Sequence, residues 1–531
     1  MEELKKFDVI VVGAGFAGLY ALYKLRSQGF NVHVYEKGAD LGGTWYYNRY
    51  PGARCDVNSL EYSYQFSEKL QQEWNWSEKY SSQAEILEYA NHVADRFDLR
   101  KDIQFNTRIT GLRFDEDSKL WKGTTEEGEA FFTRYCVMAT GCLSVTHIPD
   151  FEGLEKFQGE FLHTGEWPHT QVDFEGKSVA IIGTGSSAIQ AVPIIASQAA
   201  QLKVFQRTAS FSIPARNTPM DKKHETIIKA NYSEFRENNS LRYAALNNNP
   251  SNVSALQITR KEREAIYEQR WEEGGLPFLA SFNDLGIDKE ANETAVEFIH
   301  DKIKGIVNDE EVAELLCPKA VLGCKRLCVD TDYYKSFNRS NVELIDLNTS
   351  PIRRITPEGL MTTKRIFQLD TLILATGFDA MTGALLSIDI RGVSNQSLEA
   401  HWKNGPRNFL GLTMNGFPNL FMITGPGSPS VLANMMVGIE QHVNFIADLL
   451  GFMRRKAKLQ VEANSDAETK WVSIVNGIAD QTLFPKGCNS WYTGANIPGK
   501  PRIFMPYLGY PSYVQKCNEI AANNYRGFEF L

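Results

Sequence analysis

The chain has no Cys-x-x-Cys pair, no surplus of basic residues and no long apolar run, and each absence removes a class of function. Its eight cysteines stand apart at 55, 136, 142, 317, 324, 328, 488 and 517. Without metal-ligand spacing or a local dithiol they read as buried, inert thiols, and no metal is expected. Lys and Arg number 56 against 64 Asp and Glu, a formal charge of −8, which argues against nucleic acid as a partner. No stretch reaches the roughly 18 apolar residues of a membrane span. The start, Met1-Glu2-Glu3-Leu4-Lys5-Lys6, runs into a strand without the apolar region of a signal peptide. The expectation is a cytoplasmic protein with no membrane partner. No heptad seam is visible, and a monomer or weak dimer is expected.

What is present is an ordinary globular composition, 43% hydrophobic and 23% charged over 531 residues, long enough for three to four domains at about 150 residues each. Phe7-Asp8-Val9-Ile10-Val11-Val12 reads as a strand, and Gly13-Ala14-Gly15-Phe16-Ala17-Gly18 follows as GxGxxG. A helical pattern from Leu19 to Leu25 leads to a second strand, Asn31 to Tyr35, which ends in Glu36. The residue types suit a dinucleotide. Gly13 permits the turn, Gly15 lets backbone approach a pyrophosphate, and Gly18 lets helix pack on strand. Glu36 stands where a carboxylate accepts from a ribose 2′-OH.

The same unit recurs 170 positions on. Val179-Ala180-Ile181-Ile182 precedes Gly183-Thr184-Gly185-Ser186-Ser187-Ala188, and a second strand runs to Gln206-Arg207. Ala188 in place of the third glycine is within the tolerance of the motif. Gln206 falls opposite Glu36 and Arg207 opposite Lys37, so the ribose-reading acid is gone and a guanidinium stands beside the gap. A 2′-phosphate would be repelled by the acid and held by the fork, which points to NADP as the second ligand.

Cys136-Val137-Met138-Ala139-Thr140-Gly141 and Leu372-Ile373-Leu374-Ala375-Thr376-Gly377 read as strands feeding tight turns, where two-dinucleotide flavoproteins cross between domains. The expected fold class is α/β, two Rossmann-like dinucleotide-binding domains with a helical insertion. The FAD-binding domain takes 1–145 and 378–531, the NADP-binding domain 146–215 and 324–377, and the insertion 216–323. Within the insertion Glu293 to Val307 has helical period, and the Asn-rich stretch Glu237 to Asn252 reads as a loop.

Two nucleotides imply hydride transfer to a flavin. With no CxxC dithiol, O2 is the expected electron acceptor. Phe157-Gln158-Gly159-Glu160-Phe161-Leu162-His163-Thr164-Gly165-Glu166-Trp167-Pro168 fits FxGxxxHxxxWP, and Gly42-Gly43-Thr44-Trp45-Tyr46-Tyr47-Asn48-Arg49-Tyr50-Pro51-Gly52-Ala53-Arg54-Cys55-Asp56 fits GGxWxxxRYPGxxxD. On these motifs the chain resembles the type I Baeyer–Villiger monooxygenases, over its whole length through Trp491-Tyr492-Thr493-Gly494-Ala495-Asn496. Within that family it is most similar to the phenylacetone and cyclohexanone branch.

The resemblance implies FAD reduced by NADPH, O2 captured as a flavin C4a-peroxide, and oxidation of a ketone to an ester or lactone, with sulfoxidation as an accompanying activity. It implies Arg326 as the cation that holds the anions formed, oriented by Asp56. Lys325 and Arg207-Thr208 would hold the NADP 2′-phosphate, and Trp491 would close over the nicotinamide. Thr44, Trp45, Arg54, Tyr62 and Met435 would line the flavin. Leu432 would tune the ketone pocket. Phe157, Gly159, His163, Trp167 and Pro168 would anchor the linker between domains, with no proton-transfer role for His163. Two alternatives stand beside this reading: a flavin N- or S-monooxygenase acting on amines or sulfides, which would not need Arg326, and a non-catalytic FAD/NADPH-binding sensor.

Overall fold

The computed structural model describes residues 5–502 and 509–531. Residues 1–4 and 503–508, which the sequence reading assigns to the FAD-binding domain, lie outside them. The strand Lys5–Val12 pairs in parallel with Val32–Tyr35 on one side and with Ala130–Met138 on the other. Val9, Ile10 and Val11 are fully buried, the mark of a parallel strand covered on both faces. The sheet runs in spatial order Asp389–Arg391, Ile109–Asp115, Leu120–Thr125, Ala130–Met138, Lys5–Val12, Val32–Tyr35, Ile103–Gln104. Leu420–Met422 adds in parallel to Ala130–Met138, so segments from both ends of the sequence build one sheet.

The second sheet is parallel throughout, in the order Val342–Asp346, Gln201–Gln206, Ser178–Ile182, Thr371–Leu374, Glu160–His163. Both segments that end in Ala-Thr-Gly are strand ends, at Met138 and Leu374.

The expected insertion is helical: Lys222–Ala230, Tyr232–Ser240, Arg260–Glu273, Lys289–Ile306 and Glu310–Leu316. Asp221, Asp288 and Asp309 cap three of these helices and a Thr259–Glu262 capping box starts a fourth. Tyr267, Trp271 and Ile299 share one core with Val179 and Ile181 of the second sheet.

The expected loop from Glu237 to Asn252 is corrected at its start, where the helix runs to Ser240. Tertiary anchoring overrides the weak propensity of Asn there. Tyr232 donates to the Leu60 carbonyl at 2.7 Å, and Arg236 donates to the Glu61 carbonyl at 2.8 Å and to Ser63 Oγ at 2.6 Å. These bonds tie the insertion to the first unit. Among the described residues no helix is long and apolar enough to cross a membrane.

Candidate functional site

Two glycine turns open the two nucleotide sites. Gly13 has φ +103°, and a Cβ there would lie 2.6 Å from the Ala139 carbonyl oxygen. A Cβ on Gly18 would lie 1.8 Å from the carbonyl oxygen of Gly13. Only glycine fits at either position. The helix Phe16–Ser27 begins with no side-chain cap and no acid in its first turn, so its N-terminal N–H groups and positive dipole are left for an anion. Glu36, buried at the end of the next strand, accepts from the N–H groups of Ala14 and Gly38, both at 2.7 Å.

The second turn repeats this. Gly183 has φ +118° and a Cβ would meet the Ala375 carbonyl at 2.4 Å, whereas a Cβ on Gly185 would point into open space. The helix Ser186–Gln198 is likewise uncapped and acid-free at its start. Ala188 is fully buried, Ser186 Oγ lies 3.4 Å from Cys328 Sγ, and Thr184 donates to the Thr208 carbonyl at 2.6 Å. Ser187 sits in the first turn of that helix.

Arg207 is exposed at the end of Gln201–Gln206. Burial lowers the pKa of the Lys325 ammonium, and the neighbouring Arg207 charge lowers it further. The two cations therefore stand close enough for their charges to repel.

Between the two units lies a clamp. Arg326 reaches Asp56 from 270 positions away, with Nε donating to Oδ2 at 2.5 Å and Nη2 to Oδ1 at 2.7 Å, while Nη1 donates to the Val431 carbonyl at 2.8 Å. Burial alone would lower the guanidinium's pKa; the Asp56 carboxylate more than offsets this, and the group is held firmly protonated. Asp56 does not cap a helix, because the residues after it form turns.

An apolar cluster flanks Arg326: Cys142, Ala380, Met381, Val431 and Tyr492 are buried, with Leu143, Leu432, Met435 and Trp491 packed against them. Tyr492 is the residue that the sequence reading passed over. Burial pushes its phenol up, and the nearby Arg326 charge pulls it part of the way back, to about 12. An aromatic donor next to Trp491 was the available signal. Trp45 packs edge-on to Tyr62 and donates its indole N–H to Tyr62 Oη at 3.2 Å. Thr44 is exposed at the start of the helix Thr44–Tyr47, and Met435 opens the helix Met435–Arg455. The Arg54 guanidinium turns away, to Glu78 and the Tyr80 carbonyl, both at 2.7 Å.

The FxGxxxHxxxWP residues lie where the chain crosses between sheets. His163 ends its strand beside Leu374; its Nδ1 accepts from Gly165 N–H at 3.0 Å, and burial lowers its pKa. Gly159 has no room for a Cβ, with the Asp370 carbonyl at 2.5 Å. Trp167 donates its backbone N–H to the Tyr47 carbonyl at 3.2 Å, Pro168 follows it half-buried, and Phe157 packs under the second sheet.

The cysteine reading is corrected here. Cys324 and Cys488 form a disulfide, 164 residues apart in sequence, while the other six are free and buried. Folding brings together two thiols whose spacing carries no local signal.

Residues 5–242 match the flavin-binding monooxygenase-like family. The chain is 40% identical to a Baeyer–Villiger monooxygenase of Pseudooceanicola batsensis, over 98% of this chain and 95% of that protein. It is 39% identical to a phenazine N-monooxygenase of Lysobacter antibioticus, over 98% and 96%. Among solved structures it is similar to an oxidised steroid monooxygenase bound to NADP, with a TM-score of 0.95 at 46% identity over 99% of this chain and all of that one.

Proposed function

The chain belongs to the flavin-binding monooxygenase-like family, and we propose that it is an NADPH- and O2-dependent Baeyer–Villiger monooxygenase that holds FAD and converts a small-molecule ketone to an ester or lactone in the cytoplasm. The observation that carries this reading is the Arg326 fork on Asp56, at 2.5 and 2.7 Å, beside an apolar cluster. When bound, the flavin takes hydride from NADPH and activates O2 for transfer of one oxygen atom.

The chain's own residues do the rest. Gly13, Gly15, Gly18 and Glu36 hold the FAD pyrophosphate and ribose, with Thr44, Trp45, Tyr62, Met435 and the Arg54 segment around the flavin. Gly183, Gly185 and the start of Ser186–Gln198 hold the NADP pyrophosphate, and Arg207, Thr208 and Lys325 its 2′-phosphate. Arg326 supplies a positive charge that cannot be lost as a proton. Asp56 and Val431 take three of its N–H donors, which fixes the plane of the guanidinium. The two remaining donors are left for the negative charge that develops on the ketone oxygen. Trp491, Tyr492 and Leu432 exclude water and shape the ketone pocket. The fingerprint residues Phe157, Gly159, His163, Trp167 and Pro168 set how the two nucleotide units meet.

The 39% identity to a phenazine N-monooxygenase favours one second reading, oxygen transfer to a heteroaromatic nitrogen. Such a transfer develops no ketone oxyanion and leaves Arg326 without a chemical task. The test is incubation of the holoenzyme with NADPH, 18O2 and a panel of linear, aryl and cyclic ketones and heteroaromatic amines. The expected result is one 18O in an ester or lactone; N-oxide formation with no ester from any ketone overturns the leading reading.

A further inference from the structure

The Cys324–Cys488 pair has a place in the fold that an inert structural cross-link would not need. Cys324 directly precedes Lys325 and Arg326, and Cys488 lies three positions before Trp491. Their Cα atoms are 6.1 Å apart, within the range that a disulfide spans without moving backbone. The segment that carries Cys488 is pressed onto the turn that carries Cys324: a Cβ on Gly487 would lie 2.8 Å from Val321 Cβ and 3.1 Å from Cys324 Cβ. Leu483 N–H donates to the Gly286 carbonyl of the insertion at 3.0 Å. Asn496 donates to the Phe378 carbonyl at 3.1 Å, and Lys500 donates to the Ala380 carbonyl at 2.7 Å and pairs with Asp379. The segment 483–500 therefore spans from the insertion, past the turn before Arg326, to the crossing between the two sheets. Its only covalent tie there is the disulfide.

We propose that Cys324 and Cys488 are a reversible redox modification site, oxidised by hydrogen peroxide and reopened by thiols, whose disulfide form latches the Trp491–Tyr492 segment over the nucleotide pocket. Cys488 is half-buried and Cys324 is 2% exposed, which sets the order of events. The Cys488 thiolate attacks one oxygen of H2O2, the O–O bond breaks, hydroxide leaves, and a sulfenic acid forms. The Cys324 thiolate then attacks that sulfur and displaces its hydroxide. In sum two thiols lose two electrons and two protons, one S–S bond forms, and two waters leave. Two equivalents of a monothiol such as glutathione reverse the step by exchange.

In a reducing compartment a disulfide is transient and regulatory rather than permanent. Hydrogen peroxide is the two-electron reduction product of O2, the co-substrate proposed above, and would arise at this protein when oxygen is reduced without transfer to a ketone. The bond removes open conformations of a long loop, and lids that must open for nucleotide release set turnover in many enzymes. The consequence for nucleotide rests on the assignment of the second glycine turn to NADP.

The test uses the FAD-loaded full-length enzyme, reduced with a phosphine and desalted, then exposed to stoichiometric H2O2. Peptide mapping should show a 324–488 cross-link as the dominant product, reversed by glutathione. NADP+ should dissociate about threefold to tenfold more slowly from the oxidised form, and amide exchange over 484–494 should slow even without nucleotide. Cys488→Ser and Cys324→Ala should each behave as the reduced enzyme and ignore peroxide. Absence of the cross-link, or a cross-link that changes neither NADP+ dissociation nor amide exchange, overturns the proposal. Failure to bind NADP+ in either redox state, with exchange still slowed by oxidation, overturns the nucleotide assignment and leaves the latch supported.

Discussion

Arg326 and Asp56 face each other through two parallel N–H···O contacts, 2.5 and 2.7 Å long, across 270 residues of sequence. Such a fork fixes direction as well as charge. Asp56→Asn keeps the shape and removes the carboxylate, leaving a largely buried guanidinium with one acceptor fewer. The expected outcome is a fall in ester formation of about 10- to 100-fold, with flavin reduction by NADPH little changed. Steady-state kcat measured against stopped-flow reduction separates the two steps.

Tyr492 is buried in the apolar cluster and feels the charge of the same guanidinium. Tyr492→Phe keeps the ring and loses the phenol beside that charge, a polar group worth about 1 kcal/mol, or roughly fivefold. The loss should fall on kcat for ketone oxygenation and raise the share of NADPH consumed without ester. Tyr492→Leu should in addition raise the ketone KM, because packing is then lost as well.

The Arg207 charge acts on Lys325 and lowers the pKa of its ammonium. Lys325→Ala and Arg207→Ala should each raise the KM for NADPH by about 10-fold or more, as expected for a charged contact worth some 1.5–3 kcal/mol. NADH, which lacks the 2′-phosphate, should respond far less. The ratio of NADPH to NADH efficiency is the measurement; equal losses for both would exclude a 2′-phosphate role.

Glu440 and Glu61 are buried, and burial pushes each carboxyl to about 7 against partial relief from backbone N–H donors and Arg236. Both titrate well above the ordinary carboxylate range, so from about pH 4.5 to 7 the native state binds more protons than the unfolded one. Stability from these groups is therefore full at the acid end of that window and declines as pH rises through it, by about 1–3 kcal/mol per group. Glu440→Gln keeps an acceptor for the Gln65 N–H that now bonds Glu440 at 2.5 Å. Its Tm should fall less than that of the wild type between pH 5 and 8 in thermal scans.

The two nucleotide units were legible in the sequence because their signals are local: strand, glycine turn and helix follow one another within 20 residues, and the backbone at Gly13 and Gly183 permits little else. Arg326 was legible only through the resemblance, since nothing within its own few residues distinguishes it from other arginines. The disulfide was not legible, because Cys324 and Cys488 meet only after the carboxyl-terminal segment folds back over the turn at Val321. Leu420–Met422 is three residues long and carries no periodicity, so its pairing with Ala130–Met138 is set by tertiary packing. Asn239 is buried in a helix anchored through Tyr232 and Arg236, and composition alone misread that stretch as loop.

The proposed role of Arg326 as the cation required for ketone oxygenation is decided by parallel rates of ester and sulfoxide formation by Arg326→Ala. Ester formation should fall by about 100-fold or more, while NADPH oxidation continues and sulfide oxidation stays within a fewfold of wild type. Arg326→Lys should not restore the ester, because a point charge cannot make the fork with Asp56. Ester formation by Arg326→Ala at a rate near that of the wild type would rule out that role for Arg326.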